Sequence, residues 1–375
     1  MINADKFLAN LNKAGVNFIS GVPDSLLKDL SFSLSKKKIV KNHIIAANEG
    51  GAIGLAIGNY IGTGNVPLVY LQNSGLGNTI NPLLSLASPK VYGVPILIIM
   101  GWRGAPKIKD EPQHIHQGQV TESLIRSMKF PHQILSKNET IAFSQTKEAI
   151  KIAKKKNSPF FLLVKKNTFE KFHSKETSNI SELNREETIS ECLNFLPKKS
   201  VIVCTTGMSS RELFEIRTKN KSGHFQDFLT VGGMGHASQI ALGISESKPK
   251  RYVYCFDGDG AALMHMGALA IIGQSNSKKF IHILFNNGVH DSVGGQPTVG
   301  LKIDFCDIAL ACGYESSSKV RTLKQLKSAI GMSKKNNGPH FIEVLVNSGS
   351  RKDLGRPTSS PKDNKISIMN YLKKL

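Results

Sequence analysis

The chain has 375 residues, 40% hydrophobic and 21% charged, with a formal net charge of +21. That length supports two or three domains with real cores, and no apolar run reaches the length of a membrane span. The lysines are scattered near helix ends and turns, as in "KKKIVK" (36–41) and "KKK" (154–156), without interleaved aromatic residues. A solvated basic surface therefore fits better than a nucleic-acid face.

The N-terminal "MINADKFLANL" lacks the basic-then-apolar pattern of a secretory leader. It reads as a cytoplasmic start, with Asn3 or Asp5 near a helix cap. "IIAANEGGAIGLAIG" places Glu49 after a strand and at the start of a glycine-rich helix. A strand follows in "VPLVYLQ" (66–72), then a loop of small residues, "NSGLGN", and a further apolar strand, "VPILIIMG" (94–101). "AIKIAKKKNSPFFLLVKK" (149–166) reads as a helix and another strand, and the polar stretch at 171–189 as a linker running into a helix.

The second half repeats the first. "GGMGHASQIALGISESKPKRYVYCFDGDGAAL", from Gly232, has the order of the segment from Glu49: glycine-rich helix, turn, short strand, small-residue loop. "KFIHILFNN" then matches "VPILIIMG", and "SAIGMSKKNNGPHFIEVLV" (328–346) matches 149–166. Continuous apolar strands alternating with helices predict parallel sheets covered on both faces. The fold class is therefore α/β, with two homologous doubly wound domains at 1–170 and 191–375 and a linker at 171–190. The five cysteines (192, 204, 255, 306, 312) have no CxxC spacing, so reduced, mostly buried thiols are expected.

In such sheets ligands bind at the carboxyl ends of strands. Here those ends carry Gln72-Asn73, Gly101-Trp102, Asp257-Gly258-Asp259 and Asn286-Asn287. Gly258 and Gly260 permit a sharp turn and close backbone approach, and Asp259 offers a hard oxygen ligand suited to Mg²⁺ or Ca²⁺. Asn287 supplies a side-chain oxygen and Val289 a backbone carbonyl. Gly-Asp-Gly alone is a common turn; two asparagines at the next strand end make the metal reading much stronger.

"GDGAAL…FNN" resembles the signature of thiamin diphosphate enzymes, which join a pyrimidine-binding and a diphosphate-binding domain of similar plan. The resemblance implies that 1–170 is the pyrimidine half and 191–375 the diphosphate half. It implies thiamin diphosphate and Mg²⁺, with Asp259, Asn287 and Val289 as metal ligands. It assigns Glu49 to N1′ of the aminopyrimidine, promoting loss of the C2 proton; complementing the helix dipole is the plainer role for that residue. In "VGGMGHASQIALG" the Gly232 carbonyl would meet the 4′-amino group and Met234 would wedge between the rings, with Gly235 and His236 beside them; core filling competes for Met234. Thr206, Gly207, Met208, Gly258, Gly260 and Ala261 would lie along the cofactor.

"GVPDSLL" (21–27), "GWRGAPKIKDEPQHIHQGQVTE" (101–122), "HDSVGGQPT" (290–298) and "DLGRPTSSP" (353–361) resemble the phosphonopyruvate decarboxylase family, with sulfopyruvate decarboxylases as close kin. The implied reaction converts 3-phosphonopyruvate to phosphonoacetaldehyde and CO₂, as in phosphonate biosynthesis. His114 and His116 stand where related decarboxylases handle protons, although His-Ile-His departs from adjacent histidines, and a metal pair is a rival. A small anionic 2-oxo acid directs attention to Ser25, Arg103, Lys107, His290, Arg351 and Arg356 as substrate contacts. The family builds active sites between subunits, which implies a homodimer or larger, with no nucleic-acid or membrane partner. A nicotinamide enzyme is a poorer fit, because "SGLGNTIN" lacks the third glycine and the strand-end acid. A non-catalytic basic α/β binding protein ranks lowest, because Glu49, Asp259 and Asn287 are all present.

Overall fold

A computed structural model describes residues 1–37, 39–40, 42–171 and 180–374. Residues 172–179, inside the expected linker, lie outside the described residues. The chain forms two compact units, Met1–Lys175 and Glu176–Leu375.

The first unit contains β1 (Phe18–Gly21), β2 (Asn42–Ile45), β3 (Leu68–Gln72), β4 (Leu97–Gly101), β5 (His132–Ile134) and β6 (Phe160–Val164). They form one sheet in the order β2-β1-β3-β4-β6-β5, parallel throughout. Alternate residues enter opposite cores, which is why the central strands β3, β4 and β6 read as largely apolar runs. Ile19, Tyr70, Ile99 and Leu162 pack with Phe7 and Leu8 of the first helix and Ala149 of helix Glu139–Lys156. Leu71, Ile98, Met100 and Phe161 pack with Ala52, Ile53 and Ala56 of helix Glu49–Thr63. The first helix is capped by Asn3, whose side chain accepts from the Lys6 amide.

The second unit contains β7 (Val201–Cys204), β8 (Asp227–Leu229), β9 (Val253–Gly258), β10 (Phe280–Asn286), a small hairpin of β11 (Val289–His290) and β12 (Gln296–Pro297), then β13 (Ser316–Val320) and β14 (His340–Leu345). Its six-stranded parallel sheet runs β13-β14-β10-β9-β7-β8. Read from the other edge, this is strand for strand the order of the first sheet, so the sequence repeat is a repeat of topology. Two cores again cover the faces, one around Tyr254, Phe256 and Ile283 and one around Cys255, Leu284 and Phe341. All five cysteines are free, and four are buried.

One expected element is different. The apolar stretch after Gly260 reads as a single helix, yet it forms Asp259–Met264 and Ala268–Gly273. His265 leaves the helical region (φ −132°, ψ 50°), which sets its ring 4.5 Å from that of His236 at a 58° tilt. Contact with the neighbouring glycine-rich segment overrides local propensity there.

Candidate active site

In the second unit β10, β9 and β7 are neighbours at the sheet centre. Asp259 follows the last residue of β9 and is 2% exposed. Burial pushes its carboxyl up to about 6, against the Thr298 hydroxyl and the amides of Asn287, Asp259 and Gly260. The Thr298 hydroxyl donates to Asp259 Oδ2. A carboxylate buried with no cation partner among the described residues is what a divalent ion would relieve.

The two asparagines at the end of β10 have separate jobs. Asn286 is a brace: Nδ2 donates to the Gly300 carbonyl (2.8 Å) and to Glu343 Oε1 (2.7 Å), and Oδ1 accepts from the Gly288 amide. Asn287 Nδ2 donates to Asp291 Oδ2 (2.7 Å). That carboxylate also accepts from Arg185 Nη1 (2.8 Å) and from the Gly349 amide. Arg185 in turn grips Glu212 through Nε and Nη2 at 2.8 and 2.9 Å. An acceptor-only carboxylate thus fixes which end of the Asn287 amide is nitrogen. Oδ1 accepts from the Val289 amide (3.0 Å) and keeps a lone pair for an ion.

The Thr298 amide donates to the Gly288 carbonyl (2.8 Å), which makes Val289 and Pro297 a non-hydrogen-bonded pair of the hairpin. Proline is tolerated there, and the Val289 carbonyl points away from β12. Asp259, Asn287 and Val289 are therefore a hard-oxygen donor set, and they fit Mg²⁺.

Arg185 is 6% exposed and Glu212 1%. Arg185→Met would strand two carboxylates, so it should cost about 3–5 kcal/mol of the second unit's stability. Chemical denaturation checks this; a loss below 1 kcal/mol would show that the pair is not buried in solution.

The cofactor cradle is compact. A β-carbon on Gly260 would lie 2.7 Å from the His290 ring and 3.3 Å from the Met234 methyl, so only glycine fits between them. Burial pushes the His290 imidazole down to about 4, leaving it neutral at pH 7. Gly232 is half-buried, Gly235 lies against His265, and Ala261 is buried. His236 turns its Nδ1 onto the carbonyls of Gly233 and Met234 (3.1 and 3.2 Å), which holds that loop in shape. Gly207, at φ 99°, follows the half-buried Thr206 and begins helix Met208–Lys219, whose first turn has no side-chain cap. Its open N–H groups suit a diphosphate.

In the first unit, helix Glu49–Thr63 is capped by Asn48, whose side chain accepts from the Gly51 amide. Glu49 is 5% exposed and lies against Gly75, where a β-carbon would collide with its carboxyl. Asn78 Nδ2 donates to Glu49 Oε2 (2.7 Å). This fixes Oε2 as an acceptor.

A second acid was not singled out by sequence. Asp24, next to Ser25 in "GVPDSLL", is fully buried just past the end of β1. Its Oδ2 accepts from the Leu26 amide (3.1 Å), and Oδ1 has no partner among the described residues. Burial pushes it from 3.8 up to about 6, with nearby Arg103 pulling down. A folded pKa raised this way contributes stability below about 3.8, lost as pH rises through about 6. Asp24→Asn should therefore flatten the melting temperature of the metal-free protein between pH 4 and 6 relative to the wild type. Parallel curves would contradict the burial argument.

Arg103 is already engaged. Nε and Nη2 grip Asp110, and Nη1 donates to Ser25 Oγ (2.7 Å). Its backbone is held at both groups by the Asn73 side chain (2.9 and 3.0 Å). Lys107 is exposed. Arg351 meets Glu186, Glu215 and Asp353, which leaves it no free fork for an anion. Arg356 is exposed, on a loop pinned by Arg211 donating to the carbonyls of Leu354 and Gly355. His114 and His116 both lie on helix Pro112–Ser127, the first half-buried and the second exposed. Two residues apart on a helix do not share a face, so the His-x-His metal pair is not formed.

Two family models match this chain. The "Thiamine pyrophosphate enzyme, N-terminal TPP binding domain" covers residues 2–125, and the "Thiamine pyrophosphate enzyme, C-terminal TPP binding domain" covers 205–344. The chain is 31% identical to a phosphonopyruvate decarboxylase of Streptomyces hygroscopicus, over 96% of this chain and 92% of the relative. The same figures hold for a phosphonopyruvate decarboxylase of Streptomyces viridochromogenes. A sulfopyruvate decarboxylase of Methanosarcina acetivorans is 25% identical, over 95% of this chain and 94% of its own. Among the described residues, no helix is long and apolar enough to cross a membrane.

Proposed function

Because the chain belongs to the thiamine pyrophosphate enzymes, we propose that it decarboxylates 3-phosphonopyruvate to phosphonoacetaldehyde and CO₂. The observation that carries the substrate is the likeness to phosphonopyruvate decarboxylases at 31% identity over nearly the whole of both chains, against 25% for the sulfopyruvate enzyme.

Asp259, Asn287 and the Val289 carbonyl would hold Mg²⁺, and the open N-terminus of helix Met208–Lys219 would receive the diphosphate. Met234, beside Gly260, and the Gly232 carbonyl would contact the cofactor. When bound, thiamin diphosphate supplies a carbon nucleophile and a sink for the electrons left by CO₂. Glu49, held through Oε2 by Asn78, would serve as the acid–base partner of the aminopyrimidine. Asp24, with a pKa near 6 and one oxygen without a partner among the described residues, is suited to give or take a proton at neutral pH. His114 is a second proton carrier on the same unit, and His116 is more exposed.

The Ser25 hydroxyl and the Nη1 edge of Arg103 present donors to an anionic substrate, while Asp110 fixes the guanidinium plane. Lys107, Arg351 and Arg356 receive no contact in this reading. The enzyme works as a homodimer or larger, as the family resemblance implies.

The test is CO₂ release from phosphonopyruvate, sulfopyruvate and pyruvate by the cofactor-loaded protein. Phosphonopyruvate should have the highest kcat/KM. Equal or better turnover of sulfopyruvate would replace this reading with its sulfonate counterpart.

A further inference from the structure

Gln296 is the least explained polar residue near the cradle. It is 1% exposed, and neither Oε1 nor Nε2 of its amide has a hydrogen-bond partner among the described residues. Burying an amide unsatisfied costs several tenths to a few kcal/mol, so such a side chain in a native site points to a ligand or an ordered water.

Its surroundings favour the ligand. Gln296 faces His290 across the β11–β12 hairpin, and facing residues of an antiparallel pair project from the same side. The His290 ring packs on Gly260 beside the Met234 methyl. Two residues beyond Gln296, Thr298 donates to Asp259. The idle amide thus belongs to the wall formed by the cradle residues.

We propose that Gln296 is a specificity residue that recognises a phosphorus oxyacid, namely the substrate's phosphonate, through both ends of its amide. This inference rests on the decarboxylase reading above. An amide offers a donor and an acceptor side by side. A phosphonate ionises a second time near neutrality, as a phosphate does at about pH 6. It therefore presents an acceptor oxygen and a hydroxyl together. A sulfonate is fully ionised and presents acceptors only, so it leaves Gln296 Oε1 unpaired. A site that leaves its own polar group unpaired rejects the poorer ligand.

The test uses protein loaded with thiamin diphosphate and Mg²⁺ and two unreactive probes, 3-phosphonopropionate and 3-sulfopropionate. Their affinities are measured by calorimetry at pH 6.5 for the wild type, Gln296→Met and Gln296→Glu. Cofactor affinity is titrated separately for each variant. The wild type should prefer the phosphonate by about tenfold, one hydrogen bond's worth. Gln296→Met should lose that preference with cofactor affinity unchanged. Gln296→Glu, which keeps an acceptor but adds charge, should weaken both probes, the sulfonate more. Reduced cofactor affinity with an unchanged probe ratio would overturn the proposal, assigning the amide to the cofactor diphosphate instead. No change in either would assign it to a buried water and also overturn the proposal. Wild-type turnover of phosphonopyruvate, measured in parallel, separates these failures from failure of the decarboxylase reading itself.

Discussion

Glu49→Gln slows exchange of the C2 proton of bound thiamin diphosphate by about a hundred- to ten-thousandfold, the usual contribution of a positioned acid or base. The substitution keeps the shape and the Asn78 contact, since a glutamine carbonyl can accept from Asn78 Nδ2 as Oε2 does. It removes only the titrating proton. Cofactor affinity, measured by calorimetry, should therefore stay close to the wild-type value. The close fit over Gly75 favours an isosteric change, because a larger or smaller group would move the helix start. Exchange at the wild-type rate would leave Glu49 as a helix-terminus carboxylate and nothing more.

Asp259→Ala should abolish Mg²⁺-dependent cofactor binding over the accessible range. The buried carboxylate is the only charged member of the proposed donor set, and Asn287 and Val289 contribute neutral oxygens. Losing partners outside the first ligand shell typically costs about 10–100-fold in metal affinity, so losing the charged ligand should exceed a hundredfold. Asn287→Ala should weaken binding less. It also frees Asp291, which Arg185 and the Gly349 amide continue to satisfy. Unchanged Mg²⁺ and thiamin diphosphate affinities in Asp259→Ala would remove the metal from this strand end.

The parts of the fold that can be read from sequence are those that burial wrote into it. β3, β4, β6, β9, β10 and β14 are covered on both faces, so apolar residues dominate each, with Asp257, His282 and Glu343 as buried polar exceptions. β13 is an edge strand of sequence SSSKV with one buried residue, and it carries no such signal. β2 and β5 are short edge strands, partly exposed, and equally silent.

The site divides in the same way. Glu49, Asp259 and Asn287 can be proposed from sequence alone because strand-end chemistry sits at fixed offsets from apolar strands. Their supports are not. Arg185 and Asp291 are 106 positions apart, and Arg185 stands in a polar stretch that looks like solvated linker. Asn78 meets Glu49 only because helix Leu76–Pro82, in a stretch that reads as a small-residue loop, packs beside it. Asp24 is overlooked beside Ser25, because only the tertiary structure shows that it is the buried member of the pair. Conversely, Arg351 looks like a phosphonate clamp until its three carboxylate partners are seen.

The fate of phosphorus in one reaction tests phosphonopyruvate decarboxylation most directly. Purified protein with thiamin diphosphate and Mg²⁺ is mixed with 3-phosphonopyruvate and followed by phosphorus NMR with CO₂ collected. The phosphonopyruvate signal should give way to phosphonoacetaldehyde, one CO₂ per aldehyde, and the conversion should need both cofactor and metal. Phosphonopyruvate left intact by protein that demonstrably binds the cofactor would contradict the account.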